Sequence, residues 1–234
     1  MGPSVRRGRG EPPVGVRREG GPGVGRPVRS RSQSAHGLED DYDSEFRFGG
    51  RPLEPLQSLD RDGRVLYVGS FSKALLPMLR TGFLVAPASL RSALVEARRV
   101  ADWHGDSVTQ AALARLIESG RFSRHVRRAT RVYAARHARV LAALDGELAP
   151  WLERVPSAAG LHVAAFLREP TGVDLGAVMR RARVAGVRVE SVVSYAAAPP
   201  ERPGIVLGFG GLSGASIAEG LVVLVDAFRA EAVG

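Results

Sequence analysis

GSFSKALLPMLRTG, Gly69 to Gly82, contains Lys73, the only lysine of the 234-residue chain; every other strongly basic side chain is an arginine. Where only positive charge is needed, arginine serves. The arginine excess looks like codon bias and carries little information by itself, so the one retained lysine raises the question whether the chemistry of a primary amine, which a guanidinium does not share, is needed there. Just upstream, VLYVGS (Val65–Ser70) is apolar and β-branched and follows an Asp-Gly turn at Asp62–Gly63, which predicts a short buried strand. Pro77 keeps a long helix from running through the stretch, and TGFLVAP (Thr81–Pro87) predicts a second strand stopped by proline. Lys73 is therefore expected on a loop between two strands, flanked by Ser70, Ser72 and apolar residues. Poor solvation there favours the neutral, nucleophilic amine. Taken singly, the residue is equally readable as a lone surface lysine. Arg80, seven residues on, offers a fixed bidentate contact for an anion.

Beyond the second strand, residues 89–100 predict a helix with Ser89 as a possible cap. Thr109 to Ser119 predict another, and Ser123 to Leu144 a long one. The arginines at 124, 127, 128, 131, 136 and 139 of the long helix read as a solvated face rather than a nucleic-acid site. After Pro150 and Pro156, GLHVAAFL (160–167) is strand-like and LGAVMRRARVAG (175–186) helical. VRVES and GIVLGFG predict two more strands, and Ser213 caps a last helix running through Phe228. Short strands alternate with helices without repeats, an α/β pattern that ends in a compact α+β unit.

Composition narrows the class. Hydrophobic residues make up 44% and charged residues 24%, ordinary for a globular protein. No apolar run approaches the roughly 18 residues of a bilayer span, the basic, Gly-rich amino end is not expected to act as a secretory signal, and zero cysteines exclude disulfides and thiolate chemistry. A cytoplasmic protein is expected. Of the net charge of +9, residues 1–36 carry +6, from eight arginines against Glu11 and Glu19. That Arg/Gly/Pro-rich segment has almost no large apolar residue and is read as a disordered tail. Asp40, Asp41 and Tyr42 form an acidic block that on its own reads as a charged turn with one packed aromatic. The five histidines lack metal-like clustering.

Two stretches together, EDDYDSEFR and YVGSFSKALLPMLRTGFLVAP, resemble the aminotransferase-like module of the MocR/GabR-type regulators, of the GntR family. That module belongs to the fold-type-I superfamily of pyridoxal-phosphate (PLP) enzymes. The likeness continues through QAALARLIESGRFSRHVRRATRVYAARHARVLAAL, AGLHVAAFL and RPGIVLGFGGL, covering roughly residues 38–232. It implies PLP bound to Lys73 as an internal aldimine. Asp40 would pair with the protonated pyridine nitrogen and Tyr42 would donate to the ring oxygen. Ser70, Arg80 and, less directly, Ser72 would hold the phosphate. It also implies a partial PLP-binding large domain with a parallel-rich sheet over 37–145, a small α+β domain over 146–234, and a homodimer.

Two departures from the resembled pattern carry consequences. The family's amino-terminal DNA-binding domain and the first half of its large domain have no counterpart here, so an incomplete sheet with exposed edges is expected. VVSYAA (192–197) stands where relatives carry an arginine for a substrate carboxylate, and Ser194 occupies that place. Three functions follow from the resemblance: an aminotransferase acting on an amino acid or other amine, the effector-sensing part of a regulator, or a truncated remnant. Residues 1–36 resemble nothing in the family and are expected to reflect a disrupted or mis-started gene.

Overall fold

The computed structural model describes residues 36–41, 45–49 and 54–232. The 1–35 tail and Tyr42 lie outside the described residues. β1 (Gly37–Asp41) pairs in parallel with β2 (Val65–Ser70), Asp40 beside Val68, and β2 pairs antiparallel with β3 (Gly82–Val85). The parallel pairing expected of a fold-type-I large domain is realised in β1–β2, and β3 turns back along β2. A one-turn helix α1 (Leu56–Leu59) docks on β1 because both carboxylate oxygens of Glu39 accept from the Leu56 and Gln57 amides at 3.0 Å. The Asp60 carboxylate accepts from the Arg64 and Val65 amides at 2.5 and 2.7 Å and so sets the start of β2. Those bonds, above all that from Val65, hold its carboxyl below the usual range.

This three-stranded sheet is thinly covered. Leu38 is exposed, as are all four residues of β3, Phe83, Leu84 and Val85 among them. Among the described residues this sheet has three strands, in the order β1-β2-β3.

α2 (Ala88–Asp102) follows Pro87, with Ser89 inside its first turn rather than capping it. α3 (Ser107–Glu118) is capped by Asp106, whose carboxylate accepts from the Thr109 amide at 3.0 Å. Gly120, in the left-handed region, turns the chain into α4 (Arg121–Asp145). A short strand that the sequence reading passed over, β4 (Leu152–Arg154), opens the second sheet. With β5 (His162–Leu167), β6 (Glu190–Ser191) and β7 (Gly204–Gly208) it forms an antiparallel sheet in the order β4-β5-β7-β6.

The main core lies here. Val163, Ala165 and Leu167 alternate inward along β5. They meet Val178 and Ala182 of α5 (Leu175–Val184), Leu224 and Phe228 of α6 (Gly214–Ala232), and Val140 and Leu144 of α4. Each such Leu or Phe contributes roughly 1.5–3 kcal/mol on burial. Ser213 caps α6, its hydroxyl accepting from the Ser216 amide at 3.0 Å. α4 therefore runs from beside the first sheet into the core of the second. The 45–48 segment follows it: fully buried Phe46 packs edge-on against Tyr133 of α4, and Arg47 bridges to Ala159.

Candidate functional site

The loop between β2 and β3 is closed at its base by the Phe71 amide donating to Thr81 O at 3.1 Å. Within it, the Leu75 amide reaches Phe71 O at 2.8 Å, and Pro77–Leu79 form a single 3-10 turn, the interruption that Pro77 predicts. Arg80 ends that turn at φ 47°, ψ 34°, a left-handed conformation that a residue with a Cβ adopts at a cost of about 1 kcal/mol or more. Packing fixes the loop from two sides. Ala74 is buried, and its carbonyl accepts from Nε2 of His125 on α4 at 2.9 Å, which requires that nitrogen to carry the proton. Phe71 lies between Phe83 and Phe122, ring centroids 5.5 and 5.7 Å away.

Two glycines allow β2 and β3 to meet under this loop. A Cβ on Gly69 would come within 2.5 Å of the Phe83 ring, and one on Gly82 within 2.7 Å of the Gly69 carbonyl oxygen.

An open cleft of about 850 Å³ lies against this junction. Ser70, Ser72 and Arg80 line it together, with Gln110 and Leu113 of α3 on the other wall. Two hydroxyls and a guanidinium thus converge where β2 ends. Lys73 belongs to the same loop, but its side chain is exposed and it is not a lining residue. The desolvated surroundings expected for it are absent among the described residues, because the sheet beside it is itself thinly covered.

Asp40 is likewise exposed, at the carboxy-terminal end of β1. Its register with Val68, together with the two-residue period of a strand, puts it on the same sheet face as Ser70. Asp40, Ser70, Ser72, Lys73 and Arg80 therefore occupy the end of the sheet where parallel strands terminate, the usual ligand position in α/β proteins. The structure brings the three anion-type donors into one cleft; it leaves the amine and the carboxylate beside it. Ser194, where the resemblance expects an arginine, sits exposed in a 3-10 turn over Val192–Tyr195 and is no part of the cleft lining.

Two residues behind the site escaped the sequence reading. On the sheet face opposite Asp40, the Tyr67 hydroxyl donates to Asp41 Oδ2 at 2.5 Å, fixing the last residue of β1 to β2. Burial first and the Asp41 carboxylate next push the Tyr67 hydroxyl pKa up, so it stays a proton donor. His125 is the other. Its signal would have been a histidine on the inner side of a helix running past the loop, which no local pattern distinguishes from a solvated one.

A loop presenting amine, hydroxyls and guanidinium at the ends of parallel strands is the kind of site on which fold-type-I aminotransferases are built. The chain superposes on LysN, the α-aminoadipate aminotransferase of Thermus thermophilus, solved with N-(5'-phosphopyridoxyl)-L-leucine. That match has a TM-score of 0.72 and 31% identity over 84% of this chain and 50% of that one. The multiple substrate aminotransferase of Thermococcus profundus gives a TM-score of 0.73 at 28% identity, over 83% of this chain and 48% of that one. The sequence matches the family described as aminotransferase class I and II over residues 34–199, and the chain belongs to that family. Among curated proteins, the probable rhizopine catabolism regulatory protein MocR of Rhizobium meliloti is 37% identical over 194 residues, 82% of this chain and 39% of that protein. The chain thus spans about two-fifths of that regulator and half of the solved enzymes.

Proposed function

We propose that this chain carries the cofactor-holding part of an aminotransferase-like protein that binds PLP and an amino acid or related amine, with Lys73 as the covalent attachment point. The observation that carries the reading is the convergence of Ser70, Ser72 and Arg80 on one cleft, in the loop that also bears Lys73. The donor set fits the cofactor group by group. Two hydroxyls and a guanidinium fork suit a phosphate dianion, a primary amine suits an aldehyde, and the Asp40 carboxylate suits a protonated ring nitrogen. When bound, PLP supplies an aldehyde for condensation with amines and a cationic ring that withdraws electrons.

This chain's residues do the rest. Ser70, Ser72 and Arg80 would anchor the phosphate end, and Asp40 would hold the ring proton at its nitrogen. Tyr42, by the family resemblance, would donate to the ring oxygen. Lys73 Nζ would take and return a proton at the substrate carbon. The domain division at 145/146, a homodimer and a cytoplasmic location belong to this reading; among the described residues no helix is long and apolar enough to cross a membrane. With Ser194 where the resemblance expects an arginine, a bidentate partner for a substrate carboxylate would be lost and its recognition would be weak.

A second reading, the effector-sensing part of a MocR-type regulator, is favoured by the identity to MocR across most of the chain. In it the same site binds an amine and turnover is dispensable.

The test is the visible spectrum of the chain with PLP, followed by borohydride reduction and peptide mapping. A pyridoxyl group on Lys73, absent in Lys73→Ala, is the expected result. No Lys73-dependent band would overturn both readings. Adding amino acids then separates them, since a ketoacid product marks an aminotransferase and a band shift without product marks a sensor.

A further inference from the structure

A second cleft, of about 790 Å³, lies between the 45–48 segment and the amino-terminal half of α4 and shares no lining residue with the first. Arg47, Arg124, Arg127, Arg128 and Arg131 line it with Thr130, and among the described residues Glu45 is the one acidic member of the lining. Among the described residues none of the five arginines is in an ion pair. The helix supplies no counter-charge either, since its first acidic residue is Asp145 at the far end. Arg124 and Arg128, and Arg127 and Arg131, are like-charge pairs one turn apart, which destabilises a helix.

Arg47 sharpens the case. Its Nε is buried with no hydrogen-bond partner, a costly state for a cationic donor. The backbone around it is pinned: Phe46 is fully buried, Arg47 bridges to Ala159, and the Phe48 amide donates to Ala158 O at 2.7 Å. The guanidinium therefore cannot retreat into solvent by moving its strand. Clustered repulsion and an unsatisfied buried donor, with no gain to the fold, mark a site adapted to something else.

We propose that this cleft binds a small ligand carrying two or more phosphate groups. Five cations against one carboxylate call for several negative charges, and guanidinium forks match phosphate oxygens two at a time. The volume is that of a small-molecule site. A nucleic-acid strand fits less well, because the described residues of the lining offer no free stacking platform. Among the described residues Phe48 is the one aromatic of the lining, and its ring is taken up by His137 and Phe209, at centroid distances of 4.8 and 6.3 Å.

Calorimetric titration of the whole chain with inorganic triphosphate, at constant ionic strength, tests this. One saturable site per chain is expected, about tenfold weaker in Arg128→Gln and in Arg131→Gln. It should be unchanged in Arg183→Gln, which removes an exposed arginine of α5 outside the cleft. It should also persist in Lys73→Ala and Arg80→Gly; loss in those variants would place the anion in the PLP site and overturn the proposal. No saturable binding would do the same, as would equal weakening by Arg183→Gln, the mark of net charge alone. An oligonucleotide that displaces triphosphate with affinity rising with its length would replace the small ligand by nucleic acid. Thermal unfolding of each variant confirms that it is folded.

Discussion

Arg80→Gly separates what the fold asks of position 80 from what the site asks of it. Arg80 sits at φ 47°, and its guanidinium makes no hydrogen bond or ion pair among the described residues. For a residue with a Cβ that conformation costs about 1–2 kcal/mol, and glycine removes the cost. Against this, glycine adds roughly 0.5–1 kcal/mol of unfolded-state entropy. The net is a gain of about 0.5–1 kcal/mol, or some 1–4 °C in Tm for a chain of this length. If the guanidinium holds a phosphate, the same change removes a charge-assisted bidentate contact of about 1.5–3 kcal/mol, a loss of roughly 10- to 100-fold in affinity. The assay is paired: thermal unfolding without ligand, and titration with PLP and with pyridoxal, which lacks the phosphate. The expected pattern is a higher Tm, weaker PLP binding and unchanged pyridoxal binding. A lower Tm, or PLP affinity equal to that of the parent, refutes the assignment of Arg80 as an anion contact held in strain.

Replacing the two glycines of the β2–β3 junction should rank against naive distance. Gly69→Ala meets the closer atom, but that atom belongs to the half-exposed Phe83 ring, which can swing out, so about 1 kcal/mol is expected. Gly82→Ala drives its methyl into the Gly69 carbonyl, which cannot move without breaking strand pairing, so about 2–3 kcal/mol is expected; denaturant midpoints in the reverse order would contradict this. Gly220→Ala should stabilise by about 1 kcal/mol, read as a higher denaturant midpoint. The position is inside α6, and the new methyl would sit 3.8 Å from Val187, in ordinary contact. His137, buried against Phe48 and Phe209 with Nε2 unpartnered, has its pKa held down by burial first and by Arg154 next. Its imidazole titrates near about 6.5 in the unfolded chain and lower in the native one. Below that pH the unfolded state binds more protons, so stability falls as pH falls, by at most about 1.4 kcal/mol per pH unit. His137→Phe should flatten that slope between pH 7 and 5; an unchanged slope would place its origin elsewhere.

Much of the local structure could be read from residue order, because its causes are local. Pro77 bars a helix from running through it and so begins a new turn, Ser213 caps α6 through its own hydroxyl, and a short apolar run defines β5. The placement of the Lys73 loop was legible for the same reason, since Ser70–Arg80 form one connection between two strands; the roles of its amine, hydroxyls and guanidinium came from the family resemblance. Tertiary structure alone decided the long-range matters. That Asp40 lies on the face of Ser70 depends on the register of β1 against β2, and β1 carries too few apolar residues to announce its own pairing. The bonds His125–Ala74 and Tyr67–Asp41 join residues 51 and 26 positions apart, and no spacing rule reaches that far. The arginines of α4 are the plainest case. In one dimension they form a solvated stripe; only the docking of Phe46 against Tyr133 brings Arg47 across to them and turns the stripe into a cleft. Helix and strand follow from near neighbours, whereas a site is made by groups that folding brings together.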